Sequence, residues 1–224
     1  FYIFLIKQIK FYKNKKIFFL YGWLFGFGYF VSNLYWISIS LTFDENFKFL
    51  IPFTIILIPS FLALFYALVA YLFMVLKPNN NLSSFFLFSL IFGILEFVRG
   101  SILTGFPWNL IAYSFSNQIE ILNITSIIGT YSFNLFCISL FTSPSIFILR
   151  ENKKDISVCV AFLITTMSFY ILGSQNLEKF NNQQAKKLDY KLRILSSNIG
   201  IDRLPQASFC LTFISPSFKT APGM

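Results

Sequence analysis

The sequence predicts an all-α polytopic membrane protein with about five transmembrane helices, and three observations predict it. Of its 224 residues, 56% are hydrophobic and only 12% charged, against about 25% charged in a soluble domain; mean hydropathy is +0.67. Apolar runs of about 20 residues alternate with short polar breaks, which is the length a helix needs to cross a bilayer. The weak ten-residue alternation of a transmembrane barrel is not visible. The 32 phenylalanines read as a nucleotide-composition bias rather than a chemical demand.

Taken in order, residues 1–16 open on the apolar run from Phe1 to Ile6 and then carry Lys7, Lys10, Lys13, Lys15 and Lys16. They are expected to be a cytoplasmic basic segment closing a lost upstream span, in a chain that reads as a piece of a longer protein. A transmembrane bundle is expected over 17–174. Its spans are drawn at 17–41, 50–76, 84–103, 117–149 and 156–173, with Pro52 and Pro59 tolerated as kinks in the second. Gly22, Gly26 and Gly28 in the first span suggest close helix packing. Asn33, Asn123 and Asn134 suggest hydrogen bonds between helices.

Loop charge sets the expected orientation. The basic N-terminal segment, Lys77, and the group Arg150, Lys153 and Lys154 lie on one side. The opposite short loops hold only Lys48, beside Asp44 and Glu45. By the positive-inside rule the basic loops are cytoplasmic, and a multi-pass protein of the inner membrane with a periplasmic C-terminal tail is expected. The tail carries Lys179, Lys186, Lys187, Lys191 and Arg193, but a long translocated domain is largely exempt from that rule. Residues 175–190 read as a polar linker. Residues 192–199 read as one buried strand, within a segment 191–203. Residues 204–224 lose all periodicity and read as a non-homologous or disordered tail.

Several chemistries are excluded at once. The net charge of +9 is distributed by topology rather than as a basic patch, so no nucleic-acid partner is expected. The chain has no histidine, which rules out Ser-His-Asp and Cys-His catalysis and the usual zinc sites. Cys137, Cys159 and Cys210 show no CxxC spacing, and the first two lie in apolar runs where a thiol is usually a small hydrophobe. No metal and no cofactor are called for.

The most informative stretch is Phe106-Pro107-Trp108-Asn109, just beyond Glu96 and Arg99. Intramembrane charge costs roughly 2.5 to 3.5 kcal/mol at a helix centre, so a retained charge points to function or to a partner. Glu96 and Arg99 are three apart and share a helical face. Either they form an ion pair inside the bundle, or Arg99 holds a lipid phosphate or a substrate carboxylate. Pro107 frees backbone groups, which are tolerated at membrane depth only under protein or water. Trp108, like Trp36 beside Tyr35, suits an interfacial aromatic belt. The candidate lipid- or substrate-binding residues are therefore Glu96, Arg99, Phe106, Pro107, Trp108, Asn109 and Trp36, with Gln118 and Glu120 on the same side.

These residues also carry a resemblance. Gly22-Trp23-x-x-Gly26-x-Gly28-Tyr29-Phe30 leading to Tyr35-Trp36-Ile37, Glu96-x-x-Arg99 followed by Thr104-Gly105-Phe106-Pro107-Trp108-Asn109, and Ile128-Gly129-Thr130-Tyr131-Ser132 resemble the bacterial apolipoprotein N-acyltransferases. The combination of Glu-x-x-Arg with Thr-Gly-Phe-Pro-Trp-Asn is specific, and the resemblance covers roughly residues 17–203. It implies that 191–203 is the truncated start of an α/β nitrilase-like domain. It also implies transfer of an acyl chain from membrane phospholipid to the diacylglyceryl-cysteine amine of an apolipoprotein, through a thioester on a Glu, Lys and Cys triad. None of those three can be placed on this chain, so no catalytic residue is nominated and the chain alone is expected to be inactive. Two other readings stand beside it. One is a non-catalytic membrane remnant of a split gene. The other is a small multi-span transporter, although no internal repeat of the kind such folds use is visible.

Overall fold

The computed structural model describes residues 1–102, 107–149 and 153–182. Among them the regular structure is helical and no strand occurs. Phe106, Cys210, the strand predicted at 192–199 and the tail from 204 lie outside the described residues.

The first helix, α1 (Tyr2–Ile9), is short, but it buries Tyr2, Leu5 and Ile6 in the bundle. The residues that open the basic segment are therefore core residues. Helix α2 (Lys15–Leu34) starts where the Asn14 side chain accepts from the Lys16 amide at 3.0 Å, a side-chain cap for an otherwise orphaned donor. At Tyr35 the helix gives way to α3 (Trp36–Ser40) and to 3₁₀ turns at Leu41–Phe43 and Glu45–Leu50, so the first predicted span closes seven residues before its expected end at residue 41. Helix α4 (Ile51–Leu76) returns with Pro52 in its first turn, where a missing N–H costs nothing.

Helices α2 and α4 make the most extensive contact in the molecule. Gly22 and Gly26, one turn apart, are its reason. A Cβ at Gly22 would strike the Tyr66 carbonyl and the Ala67 backbone, and one at Gly26 would sit 3.0 Å from the Ala63 Cα. Small residues let two backbones approach in this way. Gly28 lies off this face with nothing near it. The Trp23 indole reaches across the same interface to the Ser60 carbonyl at 3.1 Å.

Helix α5 (Asn81–Ser101) turns Phe85, Phe88, Phe92, Glu96 and Arg99 inward, a stripe at three- and four-residue spacing. The fourth predicted span, 117–149, is not one helix. It divides into α6 (Ile119–Leu122), α7 (Thr125–Ile128) and the spanning α8 (Thr130–Ile148). The break is at Gly129, whose φ of +79° suits glycine best. Pro144 inside α8 removes the donor for the Leu140 carbonyl, and the Ser143 hydroxyl fills the vacancy at 2.8 Å. Helix α9 (Lys153–Asn182) runs past residue 173 into the segment read as a linker. It lies at the rim, with Leu163, Ile164, Met167 and Ile171 exposed.

Five of these helices, α2, α4, α5, α8 and α9, are long and apolar enough to cross a membrane. Their outward faces carry Leu20, Leu24, Phe53, Ile56, Phe86, Leu90, Ile94 and Leu163, all exposed. Apolar surface on this scale needs a bilayer to cover it, and the chain is a multi-pass membrane protein. Lys7 in the last turn of α1, Lys10 and Lys13 after it, Lys15 and Lys16 at the start of α2, and Lys77 mark one end of the bundle as basic. The segments 35–50 and 107–116 make up the opposite, far end.

Candidate functional site

The far end is organised around one buried ion pair. The Arg99 guanidinium grips the Glu96 carboxylate with two bonds, Nη2 to Oε2 at 2.6 Å and Nε to Oε1 at 3.3 Å. Both side chains are essentially inaccessible, at 0% and 1% exposure. A bidentate fork is the geometry that best offsets the desolvation of two charges. The guanidinium also lies over the Phe30 ring, 5.3 Å from its centroid, a cation–π contact. The first of the two sequence readings of Glu96 and Arg99, the internal pair, describes this geometry.

Arg99 does a second thing. Its Nη1 donates to the main-chain carbonyl of Trp108 at 3.2 Å. The next carbonyl along, that of Asn109, accepts from the Tyr29 hydroxyl at 2.9 Å. Asn109 has a φ of +59°, the one non-glycine residue in the left-handed region among those described. Asparagine tolerates that region better than most side chains. Pro107 is half-buried ahead of it. With its own carbonyl held by Arg99 and the next one by Tyr29, Trp108 stacks on Trp36, the centroids 5.2 Å apart and the planes 24° from parallel. The two indoles remain 47% and 39% exposed, so the pair presents a surface at the level where helices end.

Beside this cluster runs an apolar groove of about 410 Å³, lined by Leu57, Ile58, Phe61, Leu62, Phe65, Arg99 and Ile102. It follows the far half of α4 and ends at the last turn of α5. Arg99 apart, every side chain that lines the groove is apolar.

The predicted site residues thus divide. Glu96, Arg99, Trp108, Asn109 and Trp36 come together, with Pro107 next to them in the chain, whereas Phe106 lies outside the described residues. Glu120 sits on α6, whose neighbours are α9 and the 3₁₀ turn Ile111–Phe115. Asn134 and Asn123 do link elements, the first accepting from the Ala112 amide at 3.0 Å and the second from Asn176 at 2.9 Å. Asn33 instead bonds its own helix at the Tyr29 carbonyl. Tyr29 was missed as a site residue, although it stands in the glycine-rich stretch that carried the resemblance. Its partner is 80 positions away, and nothing local signals such a bond. Tyr66, fully buried between Tyr29, Phe30 and Phe92, was missed for the same reason. Cys137 is buried in an apolar cluster, and the Cys159 thiol faces the Ser143 carbonyl at 3.0 Å.

The comparisons with known proteins converge. The family model for the apolipoprotein N-acyltransferase N-terminal domain matches residues 1–142. An apolipoprotein N-acyltransferase from Rhodopseudomonas palustris is 38% identical over 184 residues, 81% of this chain and 34% of that protein. One from Rickettsia bellii is 32% identical over 180 residues, 80% of this chain and 35% of its own length. One from Brucella melitensis is 36% identical over 126 residues, covering 56% and 24% respectively. The chain spans about a third of the length of the first of these relatives. No solved structure matches.

Proposed function

This chain belongs to the apolipoprotein N-acyltransferase family, and from that premise we propose that it is the lipid-handling membrane part of a lipoprotein acyltransferase. In this reading the bundle sits in the bacterial inner membrane with its far end and C-terminal segment on the periplasmic side. It supplies membrane phospholipid as the acyl donor, and an apolipoprotein is the acceptor. A cysteine thiol displaces the lysophospholipid alcohol from the phospholipid ester to form a thioester, and the amine of the diacylglyceryl-cysteine then takes the acyl group as an amide and releases the free thiol. In this reading the thiol comes from outside the described bundle, which the apolar packing of Cys137 and the contact of the Cys159 thiol with the Ser143 carbonyl support.

The observation that carries the proposal is the apolar groove bordered by Arg99 at the far end. One acyl chain of the donor would lie along Leu57, Phe61 and Phe65. The interfacial part of the lipid would then meet Trp36, Trp108, Pro107 and Asn109, and Glu96 would hold Arg99 in place. Native mass spectrometry of the purified chain, released from detergent, tests this. A retained phospholipid is expected, with occupancy falling about tenfold when Leu57→Trp or Ile102→Trp fills the groove, since overpacking displaces whatever lies there. Unchanged occupancy in both variants would overturn the reading.

A further inference from the structure

The two consecutive carbonyls of Trp108 and Asn109 are each taken by a side chain from a different helix, Arg99 from α5 and Tyr29 from α2. Main-chain groups at a helix–loop junction near the membrane surface are ordinarily left to water or to the next turn. Here the loop is tied to two helices at once, in the left-handed turn at Asn109. The residue between the two tied carbonyls is Asn109; Trp108, whose own carbonyl takes the Arg99 tie, lies on Trp36 at the start of α3. The same tie commits the Arg99 guanidinium to partners within the chain. Its charge is met by Glu96 in a bidentate fork, its Nη1 is given to the loop, and its side chain has no exposed surface.

We propose that Tyr29 and Arg99 are positioning residues that latch the loop by its main chain. The element they position is the stacked Trp36–Trp108 pair, which contacts the glycerol-ester layer of a phospholipid. An indole has an apolar body and one N–H donor, a match for that layer, where hydrocarbon meets ester carbonyls. The ligand assignment rests on the function proposed above, whereas the latch does not. Tyr29 is the sharper probe, because Tyr29→Phe removes one hydroxyl and keeps the ring that packs on Phe30 and Tyr66. Arg99→Lys keeps a cation for Glu96 but loses the planar fork needed to serve both partners.

The test uses the full chain with Trp23→Phe and Trp36→Phe, so that Trp108 is the sole tryptophan and still has an aromatic ring to stack on. A companion chain keeps Trp23 alone. Both are placed in vesicles of phosphatidylethanolamine and phosphatidylglycerol, with part of the phosphatidylglycerol brominated near the top of its acyl chains. Trp108 should show high anisotropy and strong quenching. Tyr29→Phe should raise the unlatched population about fivefold, the effect of one lost hydrogen bond, lowering both readouts; Arg99→Lys should act in the same direction. Trp23 should not change. Unaltered anisotropy and quenching at Trp108 in both variants would overturn the latch. So would an equal change at Trp23, because the hydroxyl would then support the bundle rather than the loop. If groove-filling leaves phospholipid retention unchanged while Tyr29→Phe still loosens Trp108, the latch stands and the lipid-handling function falls.

Discussion

At the scale of single residues, the far end depends on charges that satisfy each other out of water. Glu96 and Arg99 are each nearly inaccessible, so losing one leaves the other unpaired in a low-dielectric site. Arg99→Gln or Glu96→Gln alone should cost about 3–5 kcal/mol, and the double change to Gln clearly less. Thermal unfolding of the three purified variants checks this, and a double variant no better than the worse single one would contradict the pair. Asn109 makes a second case. At a φ of +59°, Asn109→Ala should cost about 1 kcal/mol and Asn109→Gly little, by the same measurement. The pair was legible in the sequence because charge is rare in an apolar run and its spacing of three fixes a shared face. Tyr29 was not legible, since a tyrosine among many aromatics gives no sign of which distant carbonyl it will meet.

Among the elements, the interface of α2 and α4 depends on atoms that are absent. Gly22→Leu would drive a side chain into the Tyr66 and Ala67 backbone. Overpacking of this kind costs about 1–3 kcal/mol or more. Gly28→Leu, on an open face, should leave the melting temperature close to that of the parent. Equal losses in the two variants would mean that the helices do not meet along the Gly22–Gly26 face. The number of spans was legible from run length alone. Their interruptions were not, because the break at Gly129 is a matter of backbone angle in a segment as apolar as its surroundings. The inward stripe of α5 was equally hidden. In a bilayer the outward face is apolar too, so periodicity does not separate Phe92 in the core from Ile94 facing outward, and only Glu96 and Arg99 betray the side.

For the whole molecule, the distribution of lysines predicts which end faces which compartment. With the basic end cytoplasmic, an impermeant thiol reagent applied from outside should label Ser116→Cys and spare Lys153→Cys in an otherwise cysteine-free chain. The reverse pattern would invert the topology and remove the far end from the periplasmic side. Fold class and family were both readable from the sequence, the first from hydropathy and the second from motifs around the polar residues. The groove was not, because it is assembled from the outer half of α4 and the last turn of α5, residues that look like any other membrane-facing apolar stretch. The proposed function stands or falls on an acyl chain lying in that groove. The most direct measurement is photo-crosslinking of the chain in vesicles that contain a phospholipid with a diazirine on one acyl chain, followed by mapping of the adducts. Adducts are expected on Leu57, Phe61, Phe65 and Ile102, displaced by excess unlabelled phospholipid; adducts spread evenly over exposed residues of α4, α5 and α9, with no displacement, would show that the groove holds no acyl chain.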